Sequence, residues 1–229
     1  IEVLTGSPHD IGVQHGRANA QQMRWLLKAF AIDLAAPWRE GDFLRPLERH
    51  VPALVEEMLG IAVGSAMTLR EVCALSFYVD LGTTVSACTG VVVADGPDGP
   101  VVAKTSDCTP GPQQAWLRQR LIRPTHGWAA VTHAHIGSPN AEMGMNERGL
   151  AIGISGLVSR DTDVNGLGWQ QDIRAILHAC ASTAEAIDML RSLPLRRFGY
   201  CAVVGDAAGD VAIVEKVVGA CEVRRPRGM

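Results

Sequence analysis

The chain carries six thiols, at Cys73, Cys88, Cys108, Cys180, Cys201 and Cys221, and no two of them form a C-x-x-C pair. That scatter speaks against a zinc ribbon or a disulfide-dense scaffold and for a reducing, cytoplasmic setting. Context singles out Cys88, which follows the small-residue run Thr83-Thr84-Val85-Ser86-Ala87 and opens a β-type stretch, Val91-Val92-Val93-Ala94. Amide cleavage by a thiol needs a deprotonated sulfur, a base to take its proton, and donors aimed at the developing oxyanion. If the Ala87-Cys88 bond breaks, the freed α-amine sits on the same residue as the thiol. Its reference pKa of roughly 7.7 to 8.0 suits proton transfer near neutrality. The Cys88 sulfur can reach the preceding carbonyl carbon through a five-membered ring, shift the acyl group from nitrogen to sulfur, and leave a thioester for water to open. That step requires the loop before Cys88 to hold the peptide in a strained, accessible geometry. A buried cysteine at the start of a strand is the simpler alternative.

The elements around this residue change character along the chain. Ser7-Pro8-His9-Asp10 supplies a cap, a preset φ and an acidic first turn, predicting a helix that runs to about Ala35 before Pro37. A second helix is expected over residues 47–60. A third opens at the capping box Thr68-Leu69-Arg70-Glu71 and ends near Leu81. From Cys88 the pattern becomes β: a hairpin around Asp95-Gly96-Pro97-Asp98-Gly99, then runs over 128–135, 142–145 and 150–154, all expected in one antiparallel sheet. Ile173, Ile176, Leu177 and Cys180 restore helical spacing. Ser182-Thr183-Ala184-Glu185 caps a further helix, and a last hairpin over 201–204 and 211–215 leads to a basic tail, residues 222–229. Helices, strands, helices, strands is the order of a layered α+β domain.

Composition excludes several classes. A hydrophobic share of 47% with 20% charged residues describes a globular chain. A net charge of -3 argues against a nucleic-acid surface. No apolar run is long enough for a membrane span, and the N-terminus lacks a secretory pattern. His133 and His135, two apart on an expected strand, face one side and could hold a metal in a hydrolase, although no carboxylate cluster accompanies them in sequence.

Several segments resemble, in order, the acyl-coenzyme A:6-aminopenicillanic acid acyltransferase (isopenicillin N acyltransferase) family, peptidase C45-like members of the N-terminal-nucleophile hydrolases. Gly6-Ser7-Pro8-His9-Asp10-Ile11-Gly12-Val13-Gln14-His15-Gly16 looks like the family's opening signature. Ala87-Cys88-Thr89 resembles its cleavage junction, with Ala where Gly is familiar. Thr105-Ser106-Asp107 stands where the family tends to show Asn-x-Asp. Gly144-Met145-Asn146-Glu147-Arg148-Gly149-Leu150 matches its Gly-x-Asn-Glu-x-Gly-Leu turn.

The resemblance implies an αββα four-layer sandwich, incomplete at the C-terminus because the family's Asn-His-Phe-type segment, carrier of the oxyanion asparagine, is not found before Met229. Arg224, Arg225 and Arg227 are not assigned its role. It implies self-cleavage between Ala87 and Cys88 into segments 1–87 and 88–229, together one structural domain and an α/β heterodimer. Cys88 is then nucleophile, with Asp107 beside its amine, and Thr89, Thr105 and Asn146 are candidates for contacting substrate. Asp107 ending a strand and Asn146 serving a plain turn remain the ordinary readings. The implied partner is a small-molecule amide or an acyl-CoA, with no metal or organic cofactor. The competing functions are a metal-dependent hydrolase using His133 and His135, or a noncatalytic binding domain of the same fold.

Overall fold

In a computed structural model, the chain is described over residues 1–81, 87–107, 116–168 and 170–226. The loop expected to strain the Ala87-Cys88 peptide (83–86), Cys108 and Arg227 lie outside the described residues.

The first helix, α1 (Pro8–Ala29), begins where the sequence places it. Ser7 Oγ accepts from the Asp10 N–H at 3.2 Å, and Asp10 Oδ2 accepts from the Ser7 N–H at 3.1 Å. It stops six residues short of the expected end, because Ala31 adopts φ 48° and Phe30 turns inward to pack on Tyr78 and Trp116, ring centroids 5.2 and 5.0 Å away. The expected second helix is two, α2 (Gly41–His50) and α3 (Pro52–Ser65). Pro52 forces the residue before it out of helical geometry, and Val51 sits at φ -147°. The third is α4 (Leu69–Ser76) followed by one short turn, α5 (Tyr78–Leu81). Helices α1 and α3 cross with their backbones in contact. A Cβ on Gly12 would lie 2.1 Å from the Glu57 carbonyl oxygen, and one on Gly60 would lie 2.1 Å from that of His9. Gly12 and Gly16 of the opening signature are therefore required by helix packing.

The strands form two sheets, where the strand pattern suggested one and the resemblance implied two. Strands β2 (Ala87–Gly96) and β3 (Gly99–Asp107) pair only with each other among the described residues. An eight-stranded sheet contains β1 (Glu2–Gly6), β4 (Leu117–Pro124), β5 (Ala130–His135), β6 (Met143–Asn146), β7 (Ala151–Leu157), β8 (Gly199–Gly205), β9 (Val211–Val217) and β10 (Ala220–Arg224), in that order. It is antiparallel except at β1, which pairs parallel with β4. Three of these strands were not anticipated. β1 is short, β4 hides a buried Arg120 within an arginine-rich run, and β10 occupies what reads as the start of a basic tail.

Alternation divides the large sheet's faces. Ile152, Ile154, Ala202, Val204 and Val214 turn toward α6 (Gln171–Ala179) and α7 (Thr183–Ser192), where they join Ile173, Ile176, Leu177 and Leu190 in one core. Gly153, Ser155, Val203 and Gly205 turn the other way, beneath the β2–β3 hairpin. The result is a mixed α+β arrangement of hairpin, large sheet and helices. The hairpin's outer face leaves Val91, Val93 and Val101 exposed at 49%, 39% and 45%. No helix among the described residues is long and apolar enough to cross a membrane.

Candidate active site

Pairing in the hairpin sets Cys88 opposite Ser106, and Ala87 opposite Asp107. Side chains on a strand alternate between faces, and burial follows that alternation: Cys88, Lys104 and Ser106 are half-buried while Thr89, Thr105 and Asp107 are exposed. The thiol therefore faces the large sheet. The same period of two governs Thr89 and Thr105, the candidates for contacting substrate. Both turn to the outer face, where the Thr89 N–H donates to Thr105 Oγ1 at 3.2 Å.

Small residues bring the layers close on the thiol's side. A Cβ on Gly90 would lie 3.1 Å from the methyls of Val203 and 3.7 Å from Ser155 Oγ, and one on Gly153 would lie 3.3 Å from the Lys104 Cβ. The Lys104 side chain is thereby confined between the sheets, and its ammonium donates to Glu142 Oε2 at 2.5 Å and to Ser106 Oγ at 2.5 Å. The Ser106 hydroxyl donates its own proton to the same Glu142 oxygen at 2.5 Å. The other oxygen, Oε1, accepts from His135 Nε2 at 2.8 Å. Beyond it, Trp116 stacks on the His135 ring at 3.7 Å and 15°.

Burial alone would raise the Glu142 carboxyl. The hydrogen bonds that His135 and Lys104 donate to it, with the charge of the Lys104 ammonium, hold it well below the usual carboxylate range. Burial pushes His135 down, so its ring is neutral and Nε2–H is the donor to the ionised carboxylate. Ser155 Oγ, beneath Gly90, is buried without a hydrogen-bond partner among the described residues. The side of the hairpin that holds Cys88 thus carries an ion pair, two hydroxyls and a neutral imidazole.

The sequence reading missed Lys104, Ser106, Glu142 and Ser155, and gave His135 a different role. The usable signal lay inside the hairpin, since Lys104 and Ser106 share the phase of Cys88 once the pairing is known. Glu142 and Ser155 carry no local mark.

His133 and His135 do face the same way, as their spacing predicts. His133 is half-buried beside a groove of about 840 Å³ that also includes Val101, Gln119, Val131 and Met143. His135 is committed to Glu142, and no group of three or more His, Cys, Asp or Glu side chains poised for a metal occurs among the described residues.

Asn146, a candidate for contacting substrate, has its side chain engaged within the fold. Its amide Nδ2 donates to the carbonyls of Leu177 at 3.0 Å and Cys180 at 2.7 Å, and its Oδ1 accepts from the N–H groups of Arg148 and Leu150. It ties the β6–β7 turn to the end of α6 on the helix side of the sheet. Asn146→Ala would strand two buried carbonyls and cost roughly 2 to 6 kcal/mol, on about 1 to 3 kcal/mol per unsatisfied group. Urea denaturation checks the cost, and iodoacetamide labelling of Cys88 should proceed at the native rate.

Residues 94–225 match the family model for acyl-coenzyme A:6-aminopenicillanic acid acyl-transferase. No curated protein matches the chain. Among solved structures, it is similar to penicillin V acylase from Agrobacterium tumefaciens, with 22% identity over 62% of this chain and 39% of that one and a TM-score of 0.36. It is also similar to a single-residue variant of conjugated bile acid hydrolase from Clostridium perfringens, with 14% identity over 63% of this chain and 44% of that one and a TM-score of 0.35. The chain spans less than half the length of either.

Proposed function

The chain belongs to the acyl-coenzyme A:6-aminopenicillanic acid acyl-transferase family, and from that premise we propose that it is a cysteine amidohydrolase or acyltransferase activated by cleavage before Cys88. Thiol attack on the Ala87 carbonyl would give a thioester, and water would release segment 1–87 from an N-terminal cysteine. The new α-amine then takes the thiol proton during attack on a small-molecule amide or acyl-CoA. The acyl-enzyme on Cys88 passes its acyl group to water or an amine. Acyl-CoA enters as substrate, and the chemistry requires neither metal nor organic cofactor. A nucleophile that must stay reduced suits the cytoplasm.

The observation that carries this reading is the placement of Cys88, half-buried at the start of a strand, on the side where Lys104, Ser106 and Glu142 form a hydrogen-bonded network. Asp107 is opposite Ala87 and so adjoins the nitrogen that cleavage would expose, although its side chain lies on the face away from the thiol. We assign it the ammonium. The segment before the junction supplies β1 to the large sheet and α1 to the helix layer, so the two products would stay associated as a heterodimer. We take hairpin, large sheet and helices as three layers of an αββα sandwich.

A 4-nitrophenyl ester of a short aliphatic acid should add one acyl group to the peptide that begins at Cys88, read by mass spectrometry after rapid acid quench. Acylation elsewhere, or none while the ester is consumed, would refute the proposed nucleophile.

A further inference from the structure

A cavity of about 440 Å³ opens between α2 and the chain at Val164, Asn165 and Arg196. Asp42, Arg45, Pro46 and Arg49 form its helix wall, at the three- and four-residue spacing of one helix face. Three guanidinium groups and one carboxylate therefore line it, in a chain whose overall charge is -3.

The three arginines differ in how they are held. Arg196 is half-buried, with its guanidinium 4.3 Å from the centre of the Phe43 ring, and Nη1 donates to the carbonyls of Asp42 at 2.8 Å and Val164 at 2.9 Å. Its Nε and Nη2 make no hydrogen bond among the described residues, and neither is sealed from solvent. Arg45 pairs with Asp42 at 2.6 Å while its side chain stays 71% exposed. Arg49, one turn further along and also exposed, has no ion-pair or hydrogen-bond partner among the described residues. Asp163 and Asp80 also act on the Arg196 charge, but neither lines the cavity.

Arg45 and Arg49 stand four residues apart, a spacing at which like charges weaken a helix. Arg196 adds a third positive group, pinned on the opposite wall. An anion between the walls would replace that repulsion with attraction. A guanidinium fork matches two oxygens of a phosphate, which makes arginine the residue suited to that group. Three positive groups less the Asp42 carboxylate favour a dianion over a monoanion. The volume equals roughly fifteen waters, several times what a phosphate fills, so room remains for a small organic body.

We propose that this cavity binds a dianionic phosphate group, free or carried as the monoester of a small organic molecule. The site uses no residue of the Cys88 network and stands whether or not that thiol is the nucleophile.

Phenyl phosphate, inorganic phosphate and benzenesulfonate are the probes, each titrated calorimetrically into the whole protein at low ionic strength and about pH 8, where phosphates carry close to two charges. At least one phosphate should bind once per chain, with a Kd of roughly a millimolar or below. Tighter phenyl phosphate would identify an ester as the ligand, and equal or tighter inorganic phosphate the free ion. Benzenesulfonate, a ring with a single charge, should bind at least tenfold more weakly. Arg49→Gln and Arg45→Gln, both at exposed positions, should each weaken the phosphate about tenfold through loss of a charge-assisted hydrogen bond. Arg17→Gln removes the same charge from an exposed site outside the cavity and should leave binding unchanged. No saturable heat from either phosphate, equal binding of benzenesulfonate, native affinity in both cavity variants, or an equal loss in Arg17→Gln would overturn the proposal.

Discussion

Cys88→Ala is expected to yield one uncut chain where the native protein yields segments 1–87 and 88–229, seen directly by intact-mass spectrometry. The variant removes the sulfur that would attack the Ala87 carbonyl, and no other side chain can form the same five-membered ring. Turnover of an amide substrate should fall by roughly ten-thousandfold or more, the usual consequence of deleting a nucleophile that works as a unit with its base. Cys88→Ser separates the two steps. A hydroxyl can still make the acyl shift, but it is the weaker nucleophile, so slow or partial cleavage with little turnover is expected. Two chains from Cys88→Ala would show that an external protease cuts the junction. Full turnover by that variant would remove Cys88 from the mechanism. The native enzyme should also gain activity as pH rises toward about 8, as the α-amine loses the proton that stops it acting as a base.

The second large effect is expected at Lys104→Met. The Lys104 and Glu142 side chains are only 1% and 3% exposed, and their charged atoms are 2.5 Å apart. Removing the ammonium leaves an ionised carboxylate buried with one neutral imidazole and one hydroxyl as its close partners. Breaking such a pair costs about 3 to 5 kcal/mol. At roughly 2 to 4 °C per kcal/mol for a domain of this size, Tm should fall by about 6 to 20 °C. The double change Lys104→Met with Glu142→Leu should recover much of that loss, because no buried charge remains. A single-variant loss below about 1 kcal/mol in urea would mean that water reaches the pair and screens it.

The pH dependence has a definite sign. The folded-state value of Glu142 is depressed, so its contribution is complete above the unfolded carboxyl value, near about 4.3. It is lost as pH falls from there through the lower folded value. In Lys104→Met the depression shrinks, and the variant's penalty should narrow as acid protonates the stranded carboxylate.

Much of the fold could be read residue by residue. The caps at Ser7 and Thr68 are where their side-chain chemistry puts them, since a cap satisfies backbone groups within three residues of itself. The hairpin from Cys88 and the turn at Asn146 are equally local. Errors arose where an element's end is set by a distant contact. Phe30 ends α1 because Tyr78 and Trp116 wait for it, and β4 is a strand because Arg120 can be buried against His15 and the carbonyls of His135 and Ser138.

The site divides along the same line. The sequence itself determined Cys88 as the thiol to test and the hairpin that opens around it, because alternation and turn chemistry act over a few neighbours. Only the tertiary structure decided that Lys104, Ser106, His135 and Glu142 share one network, that Asn146 is engaged in holding α6, and that Arg196 lines one cavity with Arg45 and Arg49. Those pairings depend on which faces of separate elements are pressed together, and the shape and burial that select them exist only once the sheets and helices have packed.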